Sequence, residues 1–185
     1  MTGSSCGPAR PTSPARWRCD IRLRFLGVVV RISARADYAL RACIELARAD
    51  DVTPTSDVIA QAQGISQQFV QRILGDMRHA GFVDSTRARR GGYRLASPPD
   101  QVTVAEIVRA LDGPLFRVHG VAPEQLRYPE STAHLATVWM AVRALLEGLL
   151  EGVTLHDLAT GRLPASVAEL APLSQRWGGE PLRAG

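Results

Sequence analysis

The chain has 185 residues, is 45% hydrophobic and 22% charged, and so is too apolar to be wholly disordered and long enough for one domain or two small ones. Aromatic residues make up only 5%, so a core must be built mainly from Ala, Leu, Val and Ile. All 22 basic side chains are arginine and the formal net charge is +4, which points toward nucleic acid only if the charge is gathered on one surface.

The charge is unevenly placed. Residues 1–31 hold six arginines (Arg10, Arg16, Arg18, Arg22, Arg24 and Arg31) against Asp20, a net of +5, while residues 32–185 sum to −1. Within that mildly acidic body, residues 66–94 carry Arg72, Arg78, Arg87, Arg89, Arg90 and Arg94 against Asp76 and Asp84, a net of +4 over 29 residues. This local patch is a better sign of a nucleic-acid partner than the overall charge.

Residues 1–30 read as a disordered basic leader, rich in Gly, Pro, Ser and Arg and without helical or alternating apolar periodicity. Its apolar run, 25–30, is shorter than a secretory signal needs and far below the roughly 20 residues of a membrane span. Three readings stay open: organelle targeting, a basic arm touching DNA, or a misassigned start, with the native chain beginning near Val30 at a GTG codon. Three cysteines occur, Cys6, Cys19 and Cys43, with no C-x-x-C pair and no zinc-type Cys/His spacing, so no metal site is expected. Cys43 lies in an apolar helical stretch and reads as a small buried hydrophobe of a cytoplasmic protein without a disulfide framework.

The ordered pattern starts at residue 31. Ser33 is an N-cap for a helix to about Ala49, with Ala36, Leu40, Cys43, Ile44 and Ala47 as its apolar stripe. After Pro54, Thr55 or Ser56 caps a short helix over 57–63 that Gly64 stops. A third helix follows over about 66–80, burying Phe69, Ile73, Leu74 and Met77 and presenting Gln67, Gln68, Gln71, Arg72 and Arg78. Residues 82–86 and 93–96 read as two strands around a loop of Arg87, Ala88, Arg89, Arg90, Gly91 and Gly92, which is a hairpin. Helix, helix, helix, hairpin is the order of a winged helix-turn-helix, a mainly α fold with a small β-hairpin wing.

Pro98-Pro99 marks a boundary, and Thr103 with Glu106 forms a capping box for a helix ending near Leu111. Residues 115–130 read as irregular. Ser131 is taken as the cap of a long helix to about Gly152, with a broad apolar face of Leu135, Val138, Trp139, Val142, Leu145, Leu146, Leu149 and Leu150. That helix is greasier than a small winged domain needs, so a second copy of itself is the expected cover, and packing back on its own domain is the alternative. Thr154 with Asp157 caps a short helix ending at Gly161, and the tail from 162 reads as mobile apart from a turn at 165–170. The chain divides into the leader (1–30), a winged domain (31–112), a linker and dimerisation helix (113–161) and the tail (162–185).

The chemistry of the patch follows from this order. A recognition helix enters the major groove by its N-terminal turn, where Gln67, Gln68 and Gln71 lie, and glutamine can bond adenine bidentately. The amides near Ser66 can face a phosphate. Arg87, Arg89 and Arg90 on the hairpin loop suit the negative potential of a narrow minor groove. Gly91-Gly92 permits a tight turn and a close approach of backbone to DNA.

Four segments carry a resemblance to a family. They are Arg31-Ile32-Ser33 with Asp37-Tyr38-Ala39-Leu40-Arg41, then Ile65 through Leu74, then Ala80 through Ser85 with Gly91-Gly92-Tyr93-Arg94-Leu95-Ala96, and Ile107 through Gly113. Over about residues 31–160 the chain resembles the Rrf2 (Rrf-two) family of bacterial transcription regulators. The resemblance implies a winged-helix homodimer, joined through the long C-terminal helix, that binds double-stranded DNA at pseudo-palindromic operators, as a repressor in the leading reading. By motif position Gln68 and Gln71 would read bases, Arg87 would enter the minor groove, Ser33 and Arg35 would lie near phosphates, and Tyr93 belongs to the Gly-Gly-Tyr wing. Ala88 departs from the glycine the family often has after the wing arginine. Many members hold an iron–sulfur cluster on three cysteines between the wing domain and the long helix, but residues 112–138 contain none here, and His119 and His134 are isolated. The resemblance therefore implies no cofactor and a protein or small-molecule effector instead. The rival class is a winged-helix protein-interaction module without DNA contact, which would show an apolar face where this chain is polar and basic. No Ser-His-Asp order, phosphate loop or carboxylate pair suggests an enzyme.

Overall fold

The computed structural model describes residues 32–49, 52–86 and 91–172. The leader, the tail beyond 172 and the loop residues Arg87, Ala88, Arg89 and Arg90 lie outside the described residues.

Helix α1 spans Ala34–Arg48, and the Ser33 hydroxyl accepts the Ala36 amide at its start. Its buried residues are Ala36, Ala39, Ala42, Cys43 and Leu46. Of the predicted stripe, Ala36 and Cys43 are fully buried and Leu40, Ile44 and Ala47 pack half-buried against the core, while Ala39, Ala42 and Leu46 are buried beside them. The reason is that α1 is enclosed on several sides, and alanine on those sides lets its neighbours approach closely.

Helix α2 (Ser56–Gln63) begins one residue earlier than expected and closes at Gly64, whose φ of 64° suits a residue without Cβ. Its N-cap Thr55 makes no side-chain cap, because the hydroxyl donates to the Asp57 carboxylate instead. Helix α3 (Gln67–His79) is capped by Ser66, whose hydroxyl accepts the Phe69 amide. Val70, Ile73, Leu74 and Met77 are buried, and each contributes about 1.5–3 kcal/mol from the area removed from water. Phe69 is only half-buried and meets the edge of Tyr38, centroids 5.3 Å apart.

Strands β1 (Val83–Thr86) and β2 (Gly92–Leu95) form the antiparallel hairpin, pairing Val83 with Leu95, Asp84 with Arg94, Ser85 with Tyr93 and Thr86 with Gly92. The predicted bounds shift by one residue for a specific reason. The Phe82 amide is taken by the Met77 carbonyl and the Phe82 carbonyl accepts from Ala96, so both residues close the hairpin base from outside the strands.

Helix α4 (Val104–Asp112) has the expected capping box between Thr103 and Glu106. Residues 115–130 are not structureless. Val118 and Val121 bridge each other, Pro123–Gln125 forms a 3₁₀ turn, and Phe116, Val118 and Pro123 are buried. The expected Ser131 cap is not formed, because Glu130–Thr132 winds into a second 3₁₀ turn and delays the long helix α5 to His134–Glu151.

Beyond α5 the chain returns to the winged domain. Thr103 and Thr154 bridge, Val104 donates to Val153, and Leu155 donates to Val102, which sets the two capping boxes side by side. Helix α6 (Leu155–Thr160) packs on α1, with Leu155 in the same core as α1–α3. The segment predicted as a turn is a short helix, α7 (Ala165–Leu170).

Candidate nucleic-acid interface

The two helices of the helix-turn-helix are joined by Gly64, Ile65 and Ser66, with the Gly64 and Ile65 amides closing on the end of α2. This turn and the buried row of α3 fix which residues face outward. Gln67, Gln68, Gln71 and Arg72 are all exposed at the N-terminal half of α3, on the side opposite Val70, Ile73, Leu74 and Met77. Ser66 is exposed at the same end, with its hydroxyl committed to the cap. Gln71 is steadied from behind, since its Nε2 donates to Ser56 Oγ at 3.3 Å.

The acids of the patch are both occupied. Asp76 accepts Arg35 Nε and Nη2, each at 2.9 Å, and Asp84 pairs with Arg94 at 3.2 Å across the hairpin. Arg72 and Arg78 are exposed and form no ion pair with a described residue. Among the described residues, the positive charge that remains on this face is therefore carried by α3. Asp57 at the start of α2 has its carboxyl held below the usual range, first by the Thr55 hydroxyl, and it sits where a helix dipole favours negative charge.

Two expected phosphate-side residues have internal duties. The Ser33 amide and hydroxyl donate to the two Asp112 carboxylate oxygens at 2.7 and 2.6 Å, so Ser33 ties the start of α1 to the end of α4. Arg35 links α1 to α3 through Asp76. These contacts fasten α3 and the end of α4 to the start of α1, and sequence spacing carries no sign of them because the partners are 79 and 41 residues apart.

The wing root is also fixed from within. Gly91 has φ 60°, which makes the turn. Gly92 is buried, and a Cβ there would lie 2.5 Å from the Thr53 carbonyl oxygen. Its lack of a side chain is required by this internal approach. The Tyr93 amide donates to the Pro54 carbonyl at 3.0 Å and its ring packs on the core.

A second surface lies on α5, where no residue is buried. One side packs inward: Trp139 Nε1 donates to the Tyr128 hydroxyl at 3.0 Å, its ring lies 6.3 Å from Phe116, and Arg143 bridges Glu124 at 2.6 Å and Glu147 at 3.0 Å. The Arg143 pairing holds the Glu124 carboxyl below its usual range. The other side is open at Leu135, Val138 and Leu145, with Val142, Leu146 and Leu149 half-buried beside them. Met140 is exposed too, off that row.

A family model described as an iron-dependent transcriptional regulator, Rrf2, matches residues 32–161. A putative HTH-type transcriptional regulator of Mycobacterium tuberculosis is 43% identical over 143 residues, covering 77% of this chain and 89% of the relative. The HTH-type transcriptional regulator CymR of Bacillus subtilis is 34% identical over 132 residues, covering 71% of this chain and 91% of its own. Among solved structures, B. subtilis CymR, described as the global cysteine regulator, superposes with a TM-score of 0.61 at 33% identity, covering 71% of this chain and 98% of that one.

Proposed function

The chain belongs to the Rrf2 family of transcriptional regulators, and on that premise we propose that it is a homodimeric repressor reading a pseudo-palindromic operator with α3 and the hairpin. It is a DNA-binding winged-helix protein, and its relatives are regulators rather than enzymes. The observation that carries the finer reading is the exposed polar row Gln67, Gln68, Gln71 and Arg72, capped by Ser66 over a rigid aliphatic core. In this reading Gln68 and Gln71 contact base edges, and Arg72, Arg87, Arg89 and Arg90 follow phosphates and the minor groove. Ser33, Arg35, Gly91, Gly92 and Tyr93 hold these elements in place. Two such faces, paired through α5, would meet two half-sites.

The length and composition of residues 130–151 would also allow a membrane span. The ion pairs of Arg143, Glu147 and Glu151 along it favour a protein interface, in a cytoplasmic regulator.

A cluster on three cysteines does not fit this chain. No cysteine occurs between residues 112 and 138, and the described residues hold no group of three or more His, Cys, Asp or Glu placed to bind a metal. Cys43 is fully buried in the core, and burial pushes its thiol up to about 12. The proposed signal is a protein partner or a small molecule, and a visible iron–sulfur absorption band in anaerobically purified protein would overturn that.

The operator reading is tested by anisotropy with a duplex from the protein's own promoter. The logarithm of affinity should fall linearly with the logarithm of salt concentration. Arg87→Ala should lose roughly 1–3 kcal/mol of binding. Unchanged affinity in that variant would remove the wing from the interface.

A further inference from the structure

Ser56 is the one polar residue among the described residues that is buried as a whole. It opens α2, behind the recognition helix, and its hydroxyl oxygen accepts Gln71 Nε2 at 3.3 Å across the two helices of the motif. Gln71 itself is exposed, and no other described residue bonds its side chain. The amide thus has one N–H held by Ser56, with its carbonyl oxygen and second N–H left over.

We infer that Ser56 is a positioning residue for sequence readout: it anchors the Gln71 amide so that one acceptor and one donor are presented together to a base edge. The inference rests on the reading of Gln71 as a base-contacting residue. An exposed glutamine has three side-chain torsions to order when it binds, and that ordering opposes association. Donating one amide hydrogen to a buried hydroxyl removes part of that cost before DNA arrives. The remaining pair matches the adenine major-groove edge, where N7 accepts and the N6 amino group donates. Ser56 is too deeply buried to reach DNA itself, so any effect it has on base preference passes through Gln71.

The test is selection of bound duplexes from a library randomised across the half-site, using the full chain and its Ser56→Ala, Ser56→Thr, Gln71→Ala and doubly substituted forms. Gln71→Ala should flatten the preference at one base pair per half-site. Ser56→Ala should weaken the preference at that same pair by about three- to tenfold, the scale of one modest hydrogen bond. Its affinity for non-specific DNA and its melting midpoint should stay at the parental values, since alanine suits a first-turn helix position. Ser56→Thr, which keeps the hydroxyl, should retain the preference, and the double variant should match Gln71→Ala alone. If Ser56→Ala keeps full preference while Gln71→Ala loses it, the base reading stands and the positioning role fails. An equal loss of affinity for all sequences in Ser56→Ala would also defeat the positioning role, by making Ser56 merely structural. If Gln71→Ala keeps the preference, the base-contact reading falls and takes this inference with it.

Discussion

Leu145→Glu is expected to give a folded monomer that no longer holds its operator. The helix that carries Leu145 has 18 residues, none of them buried within one chain. Leu145 is 68% exposed, Val138 50% and Leu135 42%, and their three- and four-residue spacing, continued by Val142 and Leu149, places them in one row. An exposed apolar row of this kind marks a contact surface. In a two-fold interface the same patch faces itself, so each substitution is felt twice. Placing an unpaired carboxylate against an apolar partner costs several kcal/mol, and at about 1.4 kcal/mol per tenfold the dimer should weaken by roughly three orders of magnitude. The fold of a single chain should survive, because Leu145 contributes little to either core cluster. Sedimentation should therefore show a 20.0 kDa species with its helical signal kept. Leu163→Glu, at an exposed leucine outside α5, should leave the dimer intact. A dimer persisting in Leu145→Glu would place the interface elsewhere.

Much of this surface is legible in the sequence, and the failures have definite causes. Caps at Ser33, Ser66, Thr103 and Thr154 are local, since a hydroxyl three residues from the amide that donates to it needs no tertiary context, and the structure forms all four. Ser131 is equally local in appearance, yet the Glu130–Thr132 turn outcompetes it. The stripe of α1 packs inward as its spacing predicts, but periodicity locates one face, and Ala39, Ala42 and Leu46 are buried as well because α1 is covered over a wide arc by α2, α3, α4, α6 and β2. The return of residues 153–156 against 99–104 is a long-range backbone pairing that no motif encodes.

The exposed side of α3 could be read from its periodicity, because Val70, Ile73, Leu74 and Met77 point the other way. What holds that side in place could not. Arg35–Asp76, Ser33–Asp112 and Gln71–Ser56 each join different helices, and nothing in their spacing predicts them. The same contacts revise the charge argument. A net of +4 counted along residues 66–94 treats Asp76 and Asp84 as subtracting from the patch. In the fold each is already paired with an arginine, one of which, Arg35, comes from outside that stretch.

Gly92→Ala should be the most damaging small substitution in the wing. A Cβ at this position would sit 2.5 Å from the Thr53 carbonyl oxygen and 2.9 Å from both Cβ and Oγ1 of Thr53. The nearest of these is backbone, so no rotamer change can yield the space. Gly92 pairs with Thr86 in the ladder, and its neighbour Tyr93 donates to Pro54, so the wing root is fastened to the α1–α2 connection at adjacent residues. The methyl group forces these two segments apart. Overpacking of this kind costs about 1–3 kcal/mol, and loss of the Tyr93 hydrogen bond adds about 1 kcal/mol. A melting point lower by roughly 5–10 °C follows for a domain of this size. The displaced hairpin should also cost operator affinity by about tenfold or more, since a small misplacement of positioning contacts is amplified at the groove. Gly91→Ala is the informative comparison. A Cβ there meets no atom of a described residue within 4 Å, so the expected penalty is that of the left-handed backbone at φ 60°, about 1 kcal/mol. Thr53→Gly should rescue Gly92→Ala only in part, because it removes the two side-chain contacts and leaves the carbonyl oxygen in place. Equal melting points for Gly92→Ala and the parent protein would show that Thr53 does not close on the wing root, and would return Gly92 to the role of a DNA-facing glycine.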